Sequence, residues 1–456
     1  MNTEAKLQRI EKYNVAGPRY TSYPTVPFWD VVNFSSQKWK SGLLDYGKAE
    51  IQLNGLSLYI HLPYCESLCT FCACHKRITK NHGVEESYIQ AVLAEWQMYV
   101  DLLKDKPNIK EIHLGGGTPS FFSAQNLGSL INEILEKSDI DESPIFSFEG
   151  HPNNTTEEHL QALFDLGFRR VSFGVQDYDP IVQKAIHRIQ PFEAVENVTL
   201  LARKIGYTSV SHDLVFGLPF QKMESIKNTI LKTLELKPDR IAFYSYAHVP
   251  WIKGNGQRGF DEQDLPSPSE KRALYEAGLE MFESAGYFEV GMDHFALPGD
   301  ELFVAMEANK LHRNFMGYTT QSSKAMIGLG ASSISDIWGA FAQNSKDIEV
   351  YKREIFEGNL SLEKGHILSE VDLFVRKQIL NLMCHFNTKW TAEELVKIDS
   401  DEIYDELKEM ERDGILVLKN DGIEVLERAF VRNICMVFDQ YLQRNQKTEK
   451  LFSQTI

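Results

Sequence analysis

Leu56-Ser57-Leu58-Tyr59-Ile60-His61-Leu62-Pro63-Tyr64-Cys65-Glu66-Ser67-Leu68-Cys69-Thr70-Phe71-Cys72-Ala73-Cys74 joins a short apolar-rich strand, Leu56–Leu62, to a loop with three thiols in Cx3Cx2C spacing and a fourth two residues on. The chain then repeats strand, loop and helix. Glu85–Lys104 has helical periodicity, with Tyr88, Val92, Trp96 and Tyr99 on one stripe. Further strands are predicted at Ile109–Leu114, Pro144–Glu149, Arg169–Gln176, Ser209–Phe216 and Arg240–Tyr246. A helix candidate follows each of the first five of these six strands, as in Ser123–Lys137 and Thr155–Leu166, the latter with a Thr155/Glu158 capping box and Gly167 as its stop. Such alternation means parallel pairing through right-handed crossovers. Six units make a barrel-like or an open twisted sheet, and periodicity does not separate the two. In both, the loops at the strand C-termini hold the site, and Glu149, Gln176 and Asp213 all fall at or near such ends.

On the N-terminal side, Gly17-Pro18-Arg19-Tyr20-Thr21-Ser22-Tyr23-Pro24-Thr25 forbids a continuous helix and favours an extended, anchored arm. Residues 1–50 are therefore read as an arm covering the site. After Pro266 come a helix candidate, Ser269–Ala285, then Phe288–Phe295 and the segment Met326-Ile327-Gly328-Leu329-Gly330, taken to close a catalytic domain over 51–360. Residues 361–456 turn mainly helical and end in a hairpin, Gly414–Val425, and a helix, Arg428–Leu442. Without a basic face this part reads as a packing domain rather than a winged helix.

A length of 456 residues suits one large α/β core plus a smaller part, since single cores stop growing near ~250–300 residues. Apolar content of 43% and charged content of 25% are ordinary for a globular protein. No run approaches the ~20 apolar residues of a membrane helix, and Met1-Asn2-Thr3-Glu4 does not begin a signal peptide, so a cytoplasmic location is expected. A net charge of −16 argues against a general nucleic-acid binder, and an anionic substrate would need a locally basic pocket. Four of the six cysteines fall within ten residues, which points to metal ligation in a reducing compartment; Cys384 and Cys435 are read as buried core.

Three thiolates on one loop can hold three irons of a cubane and leave the fourth open to a small molecule. The competing reading is a zinc ion on all four cysteines, although such sites usually use two separated CxxC-like pairs. Cys72 and Cys74 are too close in sequence to serve the same cubane comfortably. Gly115-Gly116-Gly117-Thr118-Pro119, after the second strand, is either a tight turn or a place where backbone meets a ligand closely.

Together, the Cx3Cx2C loop and this glycine run resemble the radical S-adenosylmethionine (SAM) superfamily. More narrowly the chain resembles the oxygen-independent coproporphyrinogen III oxidases, also called coproporphyrinogen dehydrogenases. The likeness runs through Pro18–Thr25, Ser57–Cys74, the glycine run, Gly174–Asp177, Asp213–Pro219, Tyr246–Pro250, Met292–Phe295, His312–Thr320 and Arg432–Met436. It implies an α/β fold, a partial (β/α)6 TIM-like barrel with an N-terminal arm and a mainly helical C-terminal domain. It also implies a [4Fe–4S] cluster on Cys65, Cys69 and Cys72, and two molecules of SAM per active site. The implied reaction is oxidative decarboxylation of two propionates of coproporphyrinogen III to vinyl groups, giving protoporphyrinogen IX through 5′-deoxyadenosyl radicals. Carried over by position, Tyr59 lies beside the cluster-bound SAM, Phe71 contacts the second SAM, and Gly116, Gly117 and Thr118 form the backbone cradle. Glu149 is an acceptor for the first SAM; Gln176, Arg188 and Asp213 contact the second; Ala247 and Ile334 line the adenosyl regions. Arg19 is a candidate partner for a substrate carboxylate.

The sequence departs from the family pattern at Ala73, where many relatives have glycine, at Gly150-His151 beside Glu149, and at Met316, where some have glutamine. Other readings are a haem-binding chaperone, whose branch lacks the fourth cysteine and the arm motif, and an anaerobic haem-degrading radical SAM enzyme. The expected partners are coproporphyrinogen III and an electron donor such as a flavodoxin or ferredoxin, with no nucleic acid and no membrane, and a monomer is expected.

Overall fold

Seven parallel strands form the centre of a twelve-stranded sheet, in a computed structural model that describes residues 3–30, 32–251, 256–321, 323–395, 400–444 and 451–455. In chain order the sheet contains β1 (Leu56–Leu62), β2 (Asn108–Gly116), β3 (Asp139–Gly150), β4 (Phe168–Gln176), β5 (Ser209–Phe216) and β6 (Arg240–Ser245). The later strands are β7 (Phe288–Gly291), β8 (His294–Ala296), β9 (Met326–Leu329), β10 (Ile334–Asp336), β11 (Ala340–Asn344) and β12 (Leu362–Ile367). Their spatial order is β12-β11-β10-β9-β1-β2-β3-β4-β5-β6-β8-β7. The sheet does not close on itself among the described residues, so the six repeated units form a partial barrel. The expected closing segment, Met326–Leu329, pairs parallel with β1 on the side away from β2.

Alternation decides which side chains see the barrel interior. Leu56, Leu58, Ile60 and Leu62 are fully buried against the surrounding helices, which turns Tyr59 and His61 inward. The helix Glu85–Leu103 covers this strand with Tyr88, Val92, Trp96 and Tyr99, all fully buried. The same helix carries Glu95, whose carboxylate accepts from Gly330 N at 2.8 Å, Asn344 Nδ2 at 2.6 Å and Tyr351 OH at 2.7 Å, pinning the turn after β9. Burial pushes this carboxyl up to about 7. Its proton is therefore held more tightly folded than unfolded, and stability falls as pH rises towards that value. Glu95→Gln is expected to grow more favourable relative to the parent between pH 6 and pH 8, read as the difference in urea midpoints; a pH-independent difference would contradict this.

Two elements differ from the sequence expectation, and a third segment gains one. The cap of the helix after β3 is Thr156 with His159, not Thr155 with Glu158, because Thr155 Oγ1 is committed to the His151 carbonyl at 3.0 Å. Phe288–Phe295, given no element type by the sequence, forms the antiparallel pair β7 and β8, turned at Asp293 with φ +64°. Arg428–Leu442 breaks at Asp439 into Val431–Phe438 and Gln440–Arg444, because the Asp439 side chain accepts from the Tyr441 and Leu442 amides and starts a new helix.

The C-terminal part packs helices Glu370–His385 and Val431–Phe438 with a small three-stranded sheet around its own core, to which Tyr13, Tyr20 and Tyr23 of the N-terminal arm also belong. Arg432, buried in this core, donates to the carbonyls of Pro18 at 2.9 Å, Gln454 and Thr455 at 3.2 Å each, and Gly17. One guanidinium thus ties the arm and the segment around Thr455 to the same helix. No described helix is long and apolar enough to cross a membrane.

Candidate active site

The C-terminal ends of β1 to β6 surround a cavity of about 500 Å³. Its lining brings together Cys65, Cys69, Cys72, Phe71, Gly116, Gly117, Thr118, Glu149, Gln176, Arg188, Asp213 and Ala247, with Arg19 reaching in from the arm. Tyr59 lies just below, where its OH meets His61 Nδ1 at 3.0 Å and its ring stacks on His113. Ile334 is placed elsewhere. It opens β10 and packs with Trp29 and Phe341 on the arm side of the sheet, outside the residues that line this cavity.

The cysteine loop is held by the glycine run as much as by its own turns. Gly117 N donates to Leu62 O at 2.9 Å and Thr118 N to Tyr64 O at 3.0 Å. A Cβ on Gly117 would lie 2.7 Å from the Pro63 backbone, and one on Gly116, with φ +119°, would lie 2.7 Å from the His61 ring. Glycine is required here for the approach of two loops, beyond any contact with a ligand. Gly115 leaves room for the Glu149 carboxylate, which accepts from Gly116 N at 3.3 Å and lies 3.4 Å from His113 Nε2.

On the opposite wall, Arg188 donates to Gly174 O at 2.7 Å and Gln190 Oε1 at 3.3 Å, and its NH1 lies 3.7 Å from Cys69 Sγ. Gln176 ends β4 at a register shift, with φ +68°, and lines the cavity on the same face as Ser172 and Gly174. Asp213 accepts from Ser172 Oγ at 2.8 Å, and burial pushes its carboxyl up to about 7. Phe71 packs against the cluster of Val182, Ile186, Val215, Leu218 and Tyr246, and its carbonyl accepts from Gln257 Nε2, the amide that also bonds Ala247 O at 2.7 Å.

The thiols stand in contrasting surroundings. Burial pushes Cys65 up to about 11 although the Thr118 hydroxyl lies 3.2 Å away. Cys72 is pushed down to about 6 by a hydrogen bond with Cys74, with Lys76 and Arg188 adding to the effect. Among the described residues no three His, Cys, Asp or Glu groups stand close enough to hold a metal ion. Three thiols of one loop nevertheless face one cavity with two cations beside them. That donor set fits an iron–sulfur cluster better than a lone ion, because a cubane is itself wide and its ligands need not converge on one point.

Several lining residues carried no sequence signal of their own. Lys76, which donates to the carbonyls of Cys72 and Cys74, could have been found as the cation next to the cysteine run. Ser172 shares the inward parity of Gly174 on β4, whereas Tyr244 needed the fold to be placed beside Asp213. His151, one of the departures from the family pattern, lines the cavity as a neutral ring, pushed down to about 3 by burial and then Arg188. Met316 lines a separate, smaller cavity deeper in the barrel.

A parallel partial barrel with a three-cysteine loop on its first strand defines the radical SAM class, and the sequence model of the Radical SAM superfamily matches residues 59–232. Over its whole length the chain belongs to the oxygen-independent coproporphyrinogen III oxidase family. It is 38% identical to the Helicobacter pylori J99 protein of that name over 99% of both chains, and 36% identical to that of Escherichia coli K12 over 99% of this chain and 98% of the other. The solved structure described as "Coproporphyrinogen III oxidase (HemN) from Escherichia coli is a Radical SAM enzyme" matches with a TM-score of 0.86 at 35% identity, covering 93% of this chain and 98% of the other. Membership makes the chain a radical SAM oxidoreductase with a [4Fe–4S] cluster and SAM as cofactors.

Proposed function

We propose that the protein decarboxylates two propionates of coproporphyrinogen III to vinyl groups without dioxygen, giving protoporphyrinogen IX in haem and porphyrin biosynthesis. The observation that carries this reading is full-length similarity to coproporphyrinogen III oxidases, in a chain whose thiols, Glu149, Arg188 and Asp213 share one cavity. When bound, the cluster and SAM supply one-electron cleavage to methionine and a 5′-deoxyadenosyl radical. Each propionate would give a hydrogen atom to that radical, release carbon dioxide and pass one electron to an external one-electron acceptor, leaving a vinyl group.

In this reading Cys65, Cys69 and Cys72 hold the cluster, Thr118 and Lys76 steady the loop, and Tyr59 stands beside the first SAM. Gly116 and Gly117 keep the cradle open, and Glu149 accepts from the cofactor's cationic end. A second SAM is met by Phe71, Gln176, Arg188, Asp213 and Ala247. Ile334, at the start of β10, lines an adenosyl region. Arg19 presents a guanidinium to a substrate carboxylate, and residues 1–50, 51–360 and 361–456 serve as arm, catalytic domain and packing domain. The enzyme works as a cytoplasmic monomer fed by a small one-electron carrier protein.

The test is anaerobic reconstitution with iron and sulfide, followed by reductant, SAM and coproporphyrinogen III. Formation of 5′-deoxyadenosine with protoporphyrinogen is expected. Haem-ring opening, or tetrapyrrole binding without either product, would replace this reading by one of the other two.

A further inference from the structure

The substrate of the proposed reaction is a tetracarboxylate, and two of its four arms emerge unchanged. Those arms need counter-charge, which a chain of net charge −16 must supply locally. Among the described residues the main cavity is lined by three cations, and two of them are already engaged beside the cysteine loop: Lys76 with its carbonyls, Arg188 with Gly174 and Gln190. The third, Arg19, forms a partition. Its NH2 donates to Ser245 O at 2.8 Å and its NH1 lies 3.2 Å from Asp293 Oδ2.

Behind that partition lies a second cavity of about 60 Å³, which shares Arg19 and Ser245 with the first. Among the described residues four guanidinium groups line it, those of Arg19, Arg272, Arg428 and Arg432, against two carboxyl groups, Glu289 and Asp293. Arg432 is consumed by backbone carbonyls and Asp293 faces Arg19. Glu289 accepts from Tyr275 OH at 2.7 Å, and burial raises its pKa, which weakens it as a competing anion. Arg272 gives Nε to Glu276 at 3.0 Å and Arg428 gives NH1 to Glu289 O at 3.1 Å. Both are stiffened by aromatic rings, Arg272 over Tyr275 and Arg428 over Phe386 at 4.3 Å, so their remaining donors are held in place at little entropic cost. Lys271, half-buried nearby and donating to Tyr246 O at 2.9 Å, is pushed down to about 8 by desolvation and then by Arg19.

We propose that this second cavity is a carboxylate subsite in which Arg272 and Arg428, with Arg19 at its mouth, take one of the substrate's unreacted propionate arms. The space admits a carboxylate and its methylene, a few waters' worth, but no pyrrole ring. The pocket therefore fixes which arms point away from the cysteine loop. This rests on the function proposed above and adds the residues that orient the macrocycle.

The test uses Arg272→Gln and Arg428→Gln in the reconstituted enzyme, with Arg→Lys at each position as the conservative variant. Binding of coproporphyrin is followed by fluorescence quenching, which needs no turnover, and KM and kcat are measured on coproporphyrinogen III. We expect each glutamine variant to raise the Kd and KM about tenfold or more, with kcat changed far less, and lysine to restore part of the loss. Kd values within twofold of the parent for both glutamine variants would overturn the subsite. If one variant does not fold, the other decides. A parent enzyme that binds coproporphyrin but forms no vinyl product would count against the proposed reaction and not against the subsite, which the binding series decides alone.

Discussion

Cys69→Ala is expected to yield a folded protein that retains no stable cluster and forms no 5′-deoxyadenosine. Cys69 is the middle of the three loop thiols, and its Sγ lies 3.7 Å from Arg188 NH1. Removing it leaves Cys65 and Cys72 to hold a cubane that needs three protein ligands, and a two-ligand cluster is lost to solvent or chelator. The loop itself should persist, because Thr70 N bonds Ile186 O at 2.9 Å and Arg77 N bonds Pro63 O at 2.8 Å without any thiol. Iron and sulfide content after anaerobic reconstitution, with circular dichroism as the fold control, checks this. Full iron content in the variant would show that the ligands lie elsewhere.

The second large effect is expected at Arg432, far from the chemistry. Arg432→Met keeps the apolar stem but withdraws the guanidinium from four carbonyls in a buried position. Carbonyls stranded there should cost about 3 kcal/mol or more. Arg432→Lys should fare little better, since one ammonium cannot span the fork that reaches both Pro18 and Thr455. Because the same contacts hold the chain just before Arg19, activity should fall together with thermal stability, and proteolysis should cut first near Gly17. A melting temperature equal to the parent's would contradict the clamp.

The repeated units could be read from the sequence because each strand obeys a local rule. Two predicted strands, Leu56–Leu62 and Ser209–Phe216, match the structure end to end, their apolar runs being bounded by turn residues. Gly167 ends its helix with φ +96°, as a glycine stop should. The failures were of another kind. Whether Thr155 or Thr156 caps a helix depends on which hydroxyl His151 O has taken, and the break at Asp439 depends on a carboxylate choosing the amides ahead of it. Both are competitions between neighbouring hydrogen bonds that a periodic pattern does not record.

The same contrast runs through the site. Glu149, Gln176 and Asp213 could be grouped from the sequence because they lie at or near strand C-terminal ends, and Cys65 because its loop follows β1; parallel topology gathers such places on one rim. Arg272 and Arg428 were not. Each is an ordinary surface arginine in sequence, and only the docking of the C-terminal part beside Arg19 places them around one cavity. Ile334 ends no predicted strand, and the antiparallel turn after Gly330 sets it at the start of β10, a reversal that parallel alternation does not foresee.

The central claim, a cubane held by Cys65, Cys69 and Cys72 with one iron left for SAM, is tested most directly by metal and sulfide analysis of anaerobically reconstituted protein, coupled to the paramagnetic spectrum of its reduced form with and without SAM. The account predicts about four irons and four sulfides per chain and a spectrum that changes when SAM is added. Stoichiometric zinc without sulfide, or an iron signal indifferent to SAM, would contradict it.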